Sequence, residues 1–160
     1  MESGRPDKNA PLAGAWDETL MQHVVDLNRH LLATLVQAAA GGDDMELATR
    51  LRAAWLQLSA VQLARLATCP YVLIDAQLTL AARWEELLQP GVRETPAAAQ
   101  RTSGQNALTS ALIRRLLVLA WHLARSNPLA ARITLGMSDT CAALIAGSRL
   151  EALEALAESR

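Results

Sequence analysis

Three histidines are the side chains best suited to chemistry, and their spacing favours structural roles. His23, Asp26 and His30 are separated by three and four residues, which places them near one side of a helix. A metal site would need these groups to converge with a fourth ligand, so we interpret them as a surface ion pair with a nearby histidine. His122 lies in an apolar stretch, which favours a hydrogen-bonded residue of the core or of an interface. Catalysis by His122 or by the His23–His30 pair stays open as an alternative.

The other reactive side chains form no known catalytic or metal-binding motif. Glu85 and Glu86 are adjacent and so point in different directions on a helix, which is poor geometry for acid–base catalysis. Cys69 and Cys141 lie far apart, and we interpret both as reduced, partly buried thiols. The sequence has no glycine-rich phosphate loop, nucleophile elbow or CxxC pair. We therefore expect a protein that is not an enzyme and that uses no cofactor or metal.

The composition predicts helices. Hydrophobic residues make up 51% of the 160 residues, yet only 3% are aromatic and phenylalanine is absent. Alanine and leucine are abundant and are strong helix formers, whereas strands favour β-branched and aromatic side chains. We expect an all-α multi-helix bundle. The formal net charge of −1 excludes a general attraction to nucleic acid or anionic lipid, so contact with DNA would need a local basic patch or a partner subunit.

The hydropathy pattern predicts a cytoplasmic protein without a membrane segment. The first residues are polar and rich in proline and glycine, and they lack the apolar run of a secretory signal. The most hydrophobic stretch, 107–124, is interrupted by Arg114, Arg115 and His122. It is also short for a bilayer, which needs roughly 20 mostly apolar residues. We interpret it as a buried or interface helix.

Four segments divide the chain. We predict a flexible tail at 1–15, a first helical half at 16–88, a linker at 89–106 and a second helical half at 107–160. Each half contains a long helix, a middle helix and a short helix with apolar residues every three or four positions. Two segments rich in alanine and leucine can match by composition alone. A true duplication would predict two modules packed about a pseudo-twofold axis, and both interpretations stay open.

The first half contains four predicted helical segments. Asp17 is the expected cap of the long helix, and Asp43 begins the second helix. Ser59 is the expected cap of a short third helix. Residues 71–88 are predicted to be mainly helical, with a brief strand at Tyr71–Ile74 as the alternative for their beginning.

The second half is predicted to begin with a helix from Ala107 to about Arg125 that is apolar on nearly every side. Such a helix is buried inside the bundle or in a dimer seam. Pro128 suits the first turn of the next helix, and Ser148 is the expected cap of the last one. The candidate interface residues on the long helix are Leu112, Leu116, Leu119, Trp121 and Leu123.

Residues 128–148 show a helix-turn-helix pattern, with a short helix, a glycine turn and a second short helix. Gly136 permits a positive φ in the turn, Ser138 is the expected cap of the second helix, and Ala142 with Ile145 can face the core. Any helical hairpin with a glycine corner looks similar, so the pattern predicts a shape and does not identify a ligand.

The same region resembles the FlhD subunit of the bacterial flagellar transcription regulator. That family combines a leucine-rich first helix, a polar break, a Leu-Gly turn followed by Ile or Met, a short alanine-rich helix and a final leucine-rich helix. Residues 122–159 match this order well, and 20–80 match it more loosely. The matching residues are Leu135, Gly136, Met137, Ala142, Ala143, Leu144, Leu150, Leu153, Leu156 and Ala157.

The resemblance implies an all-α dimeric regulator that joins a second subunit to activate transcription. Two features depart from the family. The second helix of the pattern carries Asp139 and neither Lys nor Arg, and the second half is expected to lack the family's C-terminal portion. A helix that reads base edges usually offers Arg, Lys, Asn or Gln, so this one is not expected to read DNA alone. Arg125, Arg132 and Arg149 are candidates for phosphate contacts, although singly they are more readily interpreted as solvated surface groups.

These observations lead to three functional interpretations. The first is an FlhD-like regulator that acts by assembly, as a homodimer with a partner protein subunit, with DNA contacts that are phosphate-directed at most. The second is a helical adaptor or secretion-associated interaction protein with no role on DNA. The third is an enzyme that uses the histidines. A local arginine patch would favour the first, an exposed apolar groove the second and a convergent polar pocket the third.

Overall fold

The computed structural model describes residues 18–41, 50–89 and 103–158, and within these ranges the chain is helical without a β-strand. The predicted all-α multi-helix bundle is confirmed. The long helices α1 and α5 pack against each other, and each also contacts the short helices that follow it in sequence. The helices in these ranges are α1 (Glu18–Gly41), α2 (Arg52–Gln57), α3 (Ala60–Ala67), α4 (Ala81–Leu88), α5 (Ser103–Ser126), α6 (Pro128–Leu135), α7 (Asp139–Gly147) and α8 (Leu150–Glu158).

The boundaries of the long helices differ in part from the prediction. Helix α5 begins at Ser103 and not at Ala107, so the last residues of the predicted linker are helical. Once an apolar helix has nucleated, each further residue adds one hydrogen bond, and weak helix formers can extend its first turn. The predicted tail, the predicted caps Asp17 and Asp43, and residues 90–102 of the linker lie outside the described residues.

Local capping signals predicted two helix starts correctly. Ser59 and Gln62 form a capping box, in which Gln62 N donates to Ser59 Oγ at 3.3 Å and Ser59 N donates to Gln62 Oε1 at 2.8 Å. At the start of α6, Asn127 Oδ1 accepts a hydrogen bond from Ala130 N at 3.0 Å while Pro128 occupies the first turn. Both starts depend on residues that are close in sequence.

The predicted cap at Ser148 is wrong. Ser148 ends α7 because its N–H donates to Ile145 O at 3.2 Å and its hydroxyl donates to Leu144 O at 2.8 Å. The first turn of α8 depends instead on the carbonyl of Arg149, which accepts a hydrogen bond from Leu153 N at 3.4 Å. The serine therefore satisfies carbonyls of the preceding helix.

The segment between α3 and α4 also departs from the prediction. Residues 71–88 were predicted to be mainly helical, but the helix begins only at Ala81, and Tyr71–Ile74 form no β-strand. A local turn separates the two parts, since Asp75 Oδ1 accepts a hydrogen bond from Gln77 N at 2.7 Å and Gln77 adopts a φ of 55°. An aspartate that binds the backbone two residues later favours a turn over a helix.

Backbone hydrogen bonds connect this segment to the second half. Val72 N donates to Thr134 O at 2.8 Å, and Ser138 N donates to Leu78 O at 3.1 Å. These groups belong to the end of α6 and the start of α7. The segment is therefore ordered by tertiary contacts, which a local hydrophobic period does not report.

A buried asparagine on α1 anchors the start of the same segment. Asn28 is fully buried; its Nδ2 donates to Tyr71 O at 2.9 Å and its Oδ1 accepts from Leu73 N at 2.9 Å. Longer contacts from Nδ2 reach Ala67 O at 3.4 Å and Cys69 O at 3.5 Å. Buried polar groups are almost always hydrogen-bonded. The role of Asn28 was not predicted from the sequence, although an amide within the apolar face of a helix is a visible signal.

Both halves contribute to one hydrophobic core. Buried side chains of α1, α4, α5, α6, α7 and α8 form one cluster, and a smaller cluster joins Ala38 and Ala39 to Trp55. Helix α4 ends the first half in sequence but packs against α7 and α8 of the second half. The end of the first half therefore covers part of the second.

The two long helices meet at His30 and Arg115. His30 Nδ1 and Arg115 Nη1 lie 3.4 Å apart and are separated by 85 residues in sequence. The same separation relates Leu31 to Leu116, and both are buried. Descent of the halves from a duplication stays a prediction.

No single described helix is long and apolar enough to cross a membrane. Helices α6 and α7 together reach the required length and composition, but the chain bends by 117° between them.

Candidate functional site

The α6–α7 unit, residues 128–147, is the region that the sequence singled out. Three residues join the two helices, and the direction changes by 117° across them. Gly136 adopts φ 63° and ψ 29°, in the left-handed region, and Ser138 Oγ accepts a hydrogen bond from Cys141 N at 3.2 Å. The predicted roles of Gly136 as the turn residue and of Ser138 as the cap are confirmed. Ala142 and Ile145 face the core, as predicted.

The exposed side of α7 offers no cation. It carries Asp139, Thr140 and Ala143. Arg132 on α6 lies beside it, with Nη1 at 3.2 Å from Asp139 Oδ1. Both side chains are largely exposed, so the pair adds little stability, but it partly neutralises the guanidinium. This side therefore lacks the donors with which proteins usually read base edges.

Arg125, another DNA-contact candidate, joins Trp121 at the C-terminal end of α5. The Arg125 guanidinium carbon lies 4.6 Å from the centroid of the Trp121 ring, and its Nη1 donates to Ala146 O at 3.4 Å. Trp121 Nε1 donates to Ser148 O at 3.0 Å. These contacts satisfy carbonyls at the end of α7. The exposed Arg149 follows Ser148 directly, so Arg125 and Arg149 lie at the same end of the unit.

Four of the five candidate interface residues are buried within the single chain. They belong to the core cluster and offer no surface that a second subunit could cover. Helix α5 was predicted to lie either inside the bundle or in a dimer seam, and these four residues lie inside the bundle. Trp121 is partly exposed, and its indole N–H is already bonded within the chain. The four buried residues are Leu112, Leu116, Leu119 and Leu123.

A groove of about 890 Å³ runs between α1 and α5. It brings His23 and Asp26 of α1 together with His122 of α5. His122 is exposed, with its ring edge-on to Trp121 at 5.2 Å between centroids, so the expected core position is wrong, while the alternative of an interface position stays a prediction. The lining residues are Thr19, Leu20, His23, Asp26, Leu27, Arg114, Arg115, Val118, Leu119, His122, Leu123, Ser126 and Asn127.

The carboxylate in the groove is engaged on its own helix. Asp26 Oδ1 accepts hydrogen bonds from Arg29 Nη1 at 2.7 Å and from Gln22 Nε2 at 2.9 Å. Asp26 thus forms a surface ion pair with Arg29, and the predicted pairing with a histidine is not found within the described ranges. Within the described ranges, no hydrogen bond joins His23 or His122 to Asp26. The groove therefore collects titratable groups without the base–carboxylate pairing of a catalytic triad.

The two arginines of the groove face different partners. Arg114 Nε and Nη2 donate to Glu154 Oε1 at 3.1 and 2.7 Å, which ties α5 to α8. This hydrogen bond and the charge of Glu154 raise the pKa of Arg114 above its usual range. Arg115 also lines the groove and contacts His30, which does not. Arg114 thus also connects helices, in addition to lining a cavity.

The described part of the chain contains no group of three or more His, Cys, Asp or Glu side chains that could hold a metal ion. Cys69 is partly buried and Cys141 is buried, and both are free thiols, as predicted. A comparison with protein-family models, with curated proteins and with solved structures finds no match for the chain. The resemblance to FlhD therefore depends on the residues of the sequence.

Proposed function

We propose that the chain is a cytoplasmic transcriptional regulator, similar to FlhD, that acts by assembly with a partner protein. The observation that carries the proposal is the α6–α7 unit. Its three-residue turn, its left-handed Gly136 and its 117° bend occur in the segment that resembles FlhD. Two helices at about 90–120° joined by a short glycine-containing turn are the general form of a helix-turn-helix.

The charges around the unit favour assembly over direct reading of DNA. The exposed side of α7 carries an aspartate and no cation, and Arg132 is paired with that aspartate, Asp139. Phosphate contacts need only positive charge near the backbone of DNA. Arg125, Arg132 and Arg149 can supply such contacts when a partner brings DNA close to the unit.

Exposed aliphatic side chains on α6 also support assembly. Leu129 is 45% exposed and Ile133 is 51% exposed. They are one turn apart on the helix, so they lie on one side of it. Burial of aliphatic surface of this kind against a partner contributes favourable free energy to assembly.

The test measures binding to flagellar promoter DNA across a salt series, for the chain alone and for the chain with subunits that co-purify from its host. We expect binding only in the presence of the partner. We expect Arg149→Ala to weaken binding to all sequences alike and to reduce the salt slope by about one, as loss of one phosphate contact does. Arg83→Ala on α4 is the matched control and leaves the slope unchanged.

An absence of DNA binding under every condition would contradict the proposal. If the partner still bound, the chain would be a helical adaptor with no role on DNA. That second candidate is favoured by the apolar side chains exposed on α2 and α3, including Leu56 and Leu66.

A further inference from the structure

The short helices of the two halves correspond in register. Leu58 and Ser148 each end a helix in the same way, because their N–H groups donate to Trp55 O at 3.3 Å and to Ile145 O at 3.2 Å. Aligning these two helix ends pairs α2 with α7 and α3 with α8. Ala67 in α3 then corresponds to Ala157 in α8, and both are fully buried.

This register pairs exposed residues of the first half with covered residues of the second. Leu51, Leu56 and Leu66 are 45%, 52% and 37% exposed, and we name them the α2–α3 face. Their counterparts are buried or partly buried. The three pairs are Leu51 with Cys141, Leu56 with Ala146 and Leu66 with Leu156.

The cover of the second half is a segment of the same chain. Residues 72–88, the covering segment, consist of an extended stretch and α4, which packs against α7 and α8. Leu78 and Trp84 of this segment are buried. Trp84, Leu87 and Leu156 line one small cavity of about 300 Å³, which places α4 beside α8. The cover is thus a short amphipathic helix that contributes aromatic and aliphatic side chains.

The segment that forms α2 and α3 and the covering segment carry opposite charges. Residues 50–71 contain three arginines and no acidic residue, whereas the covering segment contains Asp75, Glu85 and Glu86 against one arginine. A second copy that presented the same face would add arginines and no carboxylate, which disfavours pairing of two such faces. An acidic occupant meets no such repulsion.

We propose that the α2–α3 face docks a short acidic amphipathic helix of a partner protein, much as residues 72–88 cover the second half. The helix fills the space over the exposed leucines with apolar side chains and presents carboxylates to the neighbouring arginines. This inference deepens the proposed function, on which it rests, by stating the chemistry of the partner. It concerns binding of a peptide in the absence of DNA, so it can fail separately.

The probe is a synthetic peptide with the sequence of residues 70–89, acetylated, amidated and labelled with a fluorophore. Anisotropy is measured as the full chain is titrated into the peptide. We expect saturable binding, weakened about tenfold or more by Leu56→Glu or Leu66→Glu, since loss of one central apolar anchor has this effect. Both positions are exposed, so circular dichroism and thermal melting should show the variants folded.

The matched control is Val61→Glu. Val61 is 69% exposed on α3, but its counterpart is Glu151, which is also exposed. The same substitution there should leave peptide affinity within about twofold. A peptide with Glu85→Lys and Glu86→Lys should bind about fivefold more weakly at low salt, and the difference should shrink in high salt.

Three results would overturn the proposal. The first is an absence of peptide binding to the folded chain. The second is an equal loss of affinity in Val61→Glu and Leu56→Glu, because the surface would then not be the counterpart of the covered one. The third is a dimer of the chain that Leu56→Glu dissociates in sedimentation, which would make a second copy the occupant.

Discussion

Helices α2 and α3 of the first half and helices α7 and α8 of the second follow the same order but are stabilised differently. Helix α2 has no buried residue and α3 buries only Ala67, whereas α7 and α8 bury Ile145 and Leu153. Capping does not explain the difference, since Ser59 gives α3 a complete capping box. The covering segment does, because its helix α4 packs on α7 and α8. Local signals determine where a short helix forms, and its cover determines how strongly it is stabilised.

The largest expected effect comes from truncating one leucine in each half. Leu153 is fully buried, whereas its counterpart Leu63 is only partly buried. We expect Leu153→Ala to lower the free energy of unfolding by about 3 kcal/mol and Leu63→Ala by about 1 kcal/mol. Urea denaturation of both variants measures the two losses. Equal losses would mean that the halves are covered alike.

The next effect concerns the link between the halves. Asn28→Ala leaves the N–H of Leu73 and the carbonyl of Tyr71 without their partner, which should cost about 2 kcal/mol of stability. The control is Gln22→Ala, which removes an exposed hydrogen bond to Asp26 on the same helix and should cost less than about 0.5 kcal/mol. Denaturation curves compare them, and a similarly small loss in both would contradict the anchoring role.

The smallest effect distinguishes two glycines in the second half. Gly136→Ala places a side chain at φ 63° and should cost about 1 kcal/mol, although no atom obstructs the new methyl group. Gly147→Ala, at the end of α7 without a positive φ, should be neutral or stabilising by up to about 1 kcal/mol. Thermal melting reports both signs. A loss at Gly147 as large as that at Gly136 would remove the special role of the turn.

The fold was predictable where neighbouring residues determine it. Ser59, Pro128, Gly136 and Ser138 act through residues within a few positions, and their predicted roles are confirmed. The beginning of residues 71–88 was predicted wrongly because hydrogen bonds to α6 and α7 override the helical period there. A local hydrophobic pattern does not indicate hydrogen bonds to residues that are distant in sequence.

The candidate site was less predictable because it depends on how helices meet. A leucine on a helix that is apolar on all sides, such as Leu116, has the same sequence signal in a core as in a dimer seam. The approach of His122 to His23 depends on the packing of α5 against α1. Arg125 has no sequence signal for its stacking on Trp121 beyond their four-residue spacing.

Hydrogen exchange tests the central claim, that the first half presents an uncovered face to an acidic helical partner. The amides of α2 and α3 are compared with those of α7 and α8, with and without the peptide of residues 70–89. We predict fast exchange in α2 and α3 of the free chain, and slower exchange there but not in α7 and α8 when the peptide is present. Slow exchange in α2 and α3 of the free chain, or protection that appears only in α7 and α8, would contradict the account.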